Sequence, residues 1–256
     1  MSVDVKTKFE MIRKYVRMAH ETDYIMPIWL PFLPVLLGIV AIFLMIPAAI
    51  FGGMGPRRMG LGLGLAMGGI VGLVTIVSAV INLYVLYKWI ARRNQHFKRT
   101  HSLYREIVEF IKSVSGEKVP SKMYSLEGTL REMEGDEVEK SPVIWIVLSL
   151  LLPIIIFYVY HFLNKDFHKH ERRESSIAED LNSILAELGA QTMFSKPRFD
   201  AVPDRSTVIY LVLTIVTLGI FGLYWVYTLT KDPNEHFVAH KMWEEDLLRS
   251  LETLVK

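Results

Sequence analysis

The chain has 256 residues, 51% of them hydrophobic, with a formal net charge of +2 and no cysteine. The missing cysteine excludes disulfides, thiolate metal sites and cysteine nucleophiles, and interleaved acidic and basic residues speak against nucleic acid as a partner. The apolar residues gather in four runs, Ile25–Phe51, Leu61–Ile90, Pro142–Leu163 and Thr207–Leu229, each at or above the ~20 residues that cross ~30 Å of hydrocarbon.

In chain order, residues 1–24 place Phe9, Ile12, Tyr15, Val16 and Ala19 on one face of a helix, which predicts an N-terminal interfacial helix. Mixed charge there, and the length of the run that follows, argue against a cleavable signal peptide. Residues 25–90 read as a transmembrane hairpin turned by the short link GGMGPRRMG, with Pro27, Pro31, Pro34 and Pro47 marking irregular ends of its first helix. The second helix opens with Gly60, Gly64, Gly68 and Gly72 on one face, a glycine zipper for close helix packing. Its expected partner is the first span, with Gly38, Ala41, Ala48 and Ala49; the alternative is another copy of the chain.

Residues 91–141 predict an amphipathic helix stopping at Ser115-Gly116, then a polar connector with a short helix around Leu126–Met133. Residues 142–190 form a membrane segment, kinked by Pro153, that continues as a helix to about Leu188 and stops at Gly189. A Pro-containing linker, 191–206, precedes the last membrane segment and C-terminal helix, 207–256. Tyr84, Tyr87 and Trp89, then Tyr158 and Tyr160, then Tyr224, Trp225 and Tyr227 form interfacial belts at the ends of three runs.

These ends are copies of one another. Tyr84, Tyr158 and Tyr224 are each followed twelve residues later by His96, His170 and His236. Apolar residues follow in step: Leu103, Ile177 and Trp243, then Ile107, Leu181 and Leu247, then Ile111, Leu185 and Leu251, then Val114, Leu188 and Leu254. The acids Glu106, Asp180 and Asp246 sit beside each stripe as rim charges. Three internal repeats of membrane segment plus amphipathic helix are therefore expected.

The segment Thr217–Trp225, TLGIFGLYW, with Arg205 before it and Lys231-Asp232 after it, resembles a family of uncharacterised prokaryotic integral-membrane domains. That family shows threonine, glycine, aromatic, glycine, tyrosine and tryptophan in this order within a membrane segment. The resemblance covers about 204–245 and implies membrane location and helical character, but no reaction or catalytic residue. The other copies depart from it, with Pro153 and Ala79 where the last has Gly219.

The fold class expected is all-α: a polytopic membrane protein with about four transmembrane segments. Cytoplasmic termini put 20 Lys and Arg inside and nine outside if every run crosses once. Simple alternation conflicts with three similar tails, because it strands the second on the far side. Four full spans are the favoured resolution. The other is that segments three and four are re-entrant, turning at Pro153 and Gly219 so that all tails share the cytoplasmic face.

Metal ligation by His96, His170 and His236 is one use of the repeated histidines, aided by the i, i+4 pairs His236/His240 and His170/Glu174. The favoured reading instead makes them polar caps near the headgroups, with no cofactor. Neither a G-x-S-x-G elbow, a Walker loop nor H-E-x-x-H occurs, so no catalysis is expected. The function expected is a membrane scaffold or accessory subunit whose partners are the bilayer, itself or other membrane proteins. The alternative is an oligomeric channel or transporter, which the lack of ionisable residues within the spans disfavours.

Overall fold

A computed structural model of the protein describes residues 3–54, 57–190 and 201–255; side-chain surroundings are described outside 3, 47–61 and 63. The described residues contain helices and no strand. They divide into two compact units, Pro27–Lys88 and a second made of Met1–Met26 with Trp89–Lys256.

Within Pro27–Lys88, a short turn of 3-10 helix, Leu30–Phe32, leads into a 22-residue helix (Leu33–Met54), preceded below by α1 and α2 and here labelled α3. Proline fits the first turn of a helix, where its missing N–H leaves nothing unpaired, so Pro31 and Pro34 set a late start rather than a break. The following helix, α4 (Arg57–Ser115), runs uninterrupted for 59 residues, about 90 Å at 1.5 Å per residue. Among the described residues its Gly64–Ser115 part is the one stretch long and apolar enough to cross a membrane. A Cβ placed on Gly64, Gly68 or Gly72 would meet nothing within 4 Å. Among the described residues, none packs against these three glycines. The surroundings of Gly60, Ala48 and Ala49, and the link around 55–56, lie outside the described residues.

The second unit joins α1 (Val3–Arg17), α2 (Ala19–Thr22), the polar half of α4, α5 (Met123–Asp136), α7 (Ile155–Glu187) and α9 (Ile220–Glu252) into a bundle. The repeated stripes are its core. Leu103, Ile107 and Ile111 on α4, Ile177, Leu181 and Leu185 on α7, and Trp243, Leu247 and Leu251 on α9 are all buried together, with Val114, Leu188 and Leu254 packed at their edge. The N-terminal helix adds Val5, Phe9 and Ile12 to that core, its Phe9 ring 6.1 Å from Phe110. The expected short connector helix is α5; spacing 3, 4 and 3 puts Met123, Leu126, Leu130 and Met133 on its buried face. Amphipathic tails thus cover one another's apolar faces.

The third and fourth apolar runs, where single crossing helices are the favoured expectation, are each split in two. In the third, α6 (Pro142–Leu151) starts under a Ser141 cap that accepts from the Ile144 N–H. It ends because Pro153 forces the residue before it out of helical space; Leu152 is extended, with φ −134° and ψ 91°. The chain then doubles back into α7, so that Trp145 lies 5.2 Å from Phe162. The fourth run repeats the device with different residues. Here α8 (Thr207–Val216), capped by Ser206, ends in a reversal in which Gly219 N–H donates to Thr214 O and Leu218 N–H to Ile215 O. These are the paired bonds of a Schellman ending, which requires left-handed backbone, here at Leu218 (φ 52°) and Gly219 (φ 94°). Tyr210 returns to within 5.0 Å of Phe221, and a Cβ on Gly222 would stand 3.2 Å from Thr214, so glycine lets the two arms close. Arg205 fastens the open end on Asp232 with two hydrogen bonds of 2.7 and 3.0 Å. Helices of 10 residues span about 15 Å, half of a bilayer core.

Candidate functional site

Beyond the aromatic belts, the three repeats deliver their histidines to one point. Trp89, Tyr160 and Trp225 lock α4, α7 and α9 together, with ring centroids 5.8 Å apart for Trp89 and Tyr160 and 5.3 Å for Tyr160 and Trp225. The repeat tyrosines Tyr84, Tyr158 and Tyr224 remain largely exposed. Proline at 233 removes the N–H that Leu229 O would accept within α9; Arg92 of α4 supplies the donor instead, at 2.8 Å. Asn234 then accepts from Arg92 at 2.8 Å and clasps both backbone groups of Met26. With the helices held in this register, the position twelve residues after each tyrosine faces inward.

His96, His170, His236 and, one turn beyond the last, His240 are wholly buried, as are Glu174 and Glu244. The Nε2 atoms of His96 and His236 face each other at 3.1 Å. Glu174 Oε1 lies 2.9 Å from His170 Nε2 and 2.7 Å from His240 Nε2, and its Oε2 lies 3.5 Å from His236 Nε2. Tyr104 donates its hydroxyl to Glu174 at 3.0 Å.

The outer nitrogens are as regular as the inner ones. His96 Nδ1 bonds Asp23 at 3.0 Å, His170 Nδ1 bonds Glu137 at 2.8 Å, and His236 Nδ1 bonds Glu171 at 3.2 Å. Around His240, Glu244 Oε1 stands 3.1 Å from Nδ1. An ionised carboxylate can only accept, so each of the three bonded Nδ1 atoms carries the proton, and in a neutral ring Nε2 then presents its lone pair inward. These carboxylates are fixed in turn. Arg99 bridges Asp23 and Glu244 at 2.9 and 2.6 Å, Arg173 reaches Glu137 at 3.3 Å, and the backbone N–H groups of Ala201 and Val202 donate to Glu171.

Electrostatics separate the imidazoles. Burial pushes His96 down to about 3, against the pull of Asp23. For His170 and His240 burial also opposes the charged form, but Glu137 and Glu174 lift the first to about 9, while Glu174 and Glu244 lift the second to about 10. Burial likewise opposes ionisation of Glu137 and Glu174, yet the neighbouring imidazoles hold Glu137 at about 2 and Glu174 well below the usual range.

Two groups have metal-ligand spacing: His96, His170, Glu174 and His236, and separately His101, Glu137 and His170, the atoms of each within 4.8 Å of one another. The second is accounted for by hydrogen bonds alone, since His101 and His170 meet the same Glu137 oxygen and Arg173 takes the other. In the first, hydrogen bonding leaves a residue. Neither His170 Nε2 nor Glu174 Oε2 has a hydrogen-bond partner of acceptable geometry.

Of these side chains, the repeat pattern marks His96, His170 and His236, and i, i+4 spacing marks Glu174 and His240. It misses Asp23 and Glu137, which lie in an N-terminal stretch and a connector with no copy elsewhere, and Glu171, whose counterparts Phe97 and Phe237 are apolar. His161 and His168 lie apart from the cluster, bonded to Thr207 and to Val202 O.

Fold and site together define an all-α protein with apolar helices joined to a polar-centred bundle. Residues 205–245 match a domain of unknown function, DUF4234. The matched stretch takes in the Arg205–Asp232 clasp, the Gly219 reversal, His236, His240 and Glu244. No curated protein and no solved structure matches the chain.

Proposed function

We propose that the protein is an integral-membrane scaffold or accessory subunit whose three tails and N-terminal helix form a joint platform on one membrane face, taken from the charge distribution to be the cytoplasmic one. The observation that carries this reading is the pair of helical hairpins, α6–α7 and α8–α9, whose two arms both return to the bundle. A re-entrant course for these segments removes the conflict between three similar tails and simple alternation. Exposed apolar side chains on both hairpins suit a lipid or protein environment: Leu151 is 71% and Leu218, at a tip, 94% exposed. Such short arms do not cross, so only the Pro27–Lys88 unit supplies crossing segments. The glycine face of α4 is the natural surface for assembly with itself or with other membrane proteins.

Single cysteines at Ser121, Ser183 and Arg249, in this cysteine-free chain, test the reading with an impermeant thiol reagent on intact and opened cells. All three should label only after opening. Labelling at Ser183 in intact cells, with the other two protected, would restore four alternating spans and end the platform.

A further inference from the structure

We propose that His96, His170, His236 and Glu174, with His240 as a further donor, bind one divalent first-row transition-metal ion. Hydrogen bonds to Asp23 and Glu171 engage Nδ1 of His96 and of His236, and their Nε2 atoms face each other across 3.1 Å. Two imidazole nitrogens meet at that distance only with a proton or a metal ion between or beside them. Ligand atoms bound at about 2.0–2.1 Å and at tetrahedral angles stand about 3.3 Å apart. His96 Nε2 to His236 Nε2 (3.1 Å) and His170 Nε2 to Glu174 Oε1 (2.9 Å) lie near that value, and one ligand atom from each of the four residues falls within 4.8 Å of all the others.

The second layer supports the same assignment. An imidazole that donates Nδ1–H to a carboxylate is the usual support of a metal-binding histidine, because it sets the tautomer and raises the basicity of the other nitrogen. All three repeat histidines have that support, from three different parts of the chain. Charge agrees: Asp23, Glu137, Glu171, Glu174 and Glu244 surround the imidazoles, and among the described residues the arginines that pair with them are Arg99 and Arg173. A divalent cation offsets most of the excess without desolvating an unpaired anion. Three or four imidazoles with one carboxylate and no thiolate suit borderline ions of the zinc, iron or cobalt kind rather than soft Cu(I) or oxygen-seeking calcium. With every direction taken by a side chain, the ion is structural, a clasp between the repeats. A cleft of about 580 Å³ has Asp23, the carboxylate behind His96, in its wall.

The test uses the full chain in detergent, stripped with chelator and titrated with Co(II) alone. A visible ligand-field band should saturate at one ion per chain, vanish on adding Zn(II), and weaken at least 100-fold in His236→Gln. Glu171→Gln, which touches the histidine and not the ion, should weaken binding by about 10- to 100-fold, while His161→Gln should change nothing. Stripped wild-type protein that keeps its helical circular dichroism yet shows no stoichiometric band overturns the proposal. Undiminished binding in the triple variant His96→Gln, His170→Gln, His236→Gln does so as well. The wild-type titration decides even if a variant does not fold.

Discussion

Helices α7 and α9 each contain two regions built to opposite rules. Over their first two turns, side chains such as Tyr158, Ile220 and Leu223 face outward and remain exposed; a few turns further on, Glu174, His236, His240 and Glu244 are wholly buried. Apolar outside and charged inside inverts the arrangement of a soluble helix bundle. The first half is explained by the re-entrant membrane course proposed above, since lipid covers apolar surface at no cost. The second half has no such excuse. A core of packed aliphatic residues is at least as stable as one of buried ions, so so many paired charges at one point mark a task other than holding the bundle closed by apolar contact.

Four changes break or sharpen that contrast, taken from the largest expected effect. Arg99→Met leaves Asp23 and Glu244 buried without their shared guanidinium and should cost about 3–5 kcal/mol, read as a large fall in the melting temperature of the detergent-solubilised protein; an unchanged midpoint would mean that the polar interior is not dry. Leu181→Ala, in the stripe core, should cost about 2–5 kcal/mol, whereas Leu151→Ala, on the exposed hairpin, should stay within about 0.5 kcal/mol. Equal losses at the two sites would remove the distinction between the regions. Gly219→Ala keeps open space around the new methyl but forces it into left-handed backbone, at about 1–2 kcal/mol; loss of more than that would show that the tip is packed against something.

A further expectation is a pH dependence of the metal-free protein. His170 and His240, raised to about 9 and about 10, bind protons more tightly folded than unfolded. Their ion pairs therefore stabilise the fold fully below the unfolded value of about 6.5 and are lost as pH climbs through the raised values. Thermal midpoints of the stripped protein should fall between pH 7 and pH 10.5, and a flat profile would count against charged imidazoles. Adding metal should flatten the same profile, because ligated nitrogens no longer exchange protons.

The stripes of the bundle were readable from the sequence because a repeated interval is a property of the chain itself. Leu103, Ile177 and Trp243 occupy equivalent places in the core as they do in the repeat. The hairpins were half readable. Pro153 announces a break in its own backbone chemistry, but a proline kink and a proline reversal look alike until the arms are seen to touch, and Leu218 in left-handed space carries no signal. The N-terminal helix, expected at the membrane interface, packs Phe9 and Ile12 into the bundle core; an amphipathic face suits either surface. For the histidine cluster, the repeat supplied three imidazoles and could not supply their partners. Asp23 and Glu137 are 114 positions apart in the chain and meet the centre only through tertiary packing.

Convergence of the three repeats on one centre is the claim on which the account stands, and X-ray absorption at the metal edge of the loaded full-length protein tests it most directly. Each imidazole in the fitted shell has to come from a different helix or, for His240, from the turn of α9 that follows His236. The account predicts three or four imidazoles at about 2.0–2.1 Å, with one fewer in His96→Gln. A shell of water and one imidazole, unchanged in that variant, would contradict it.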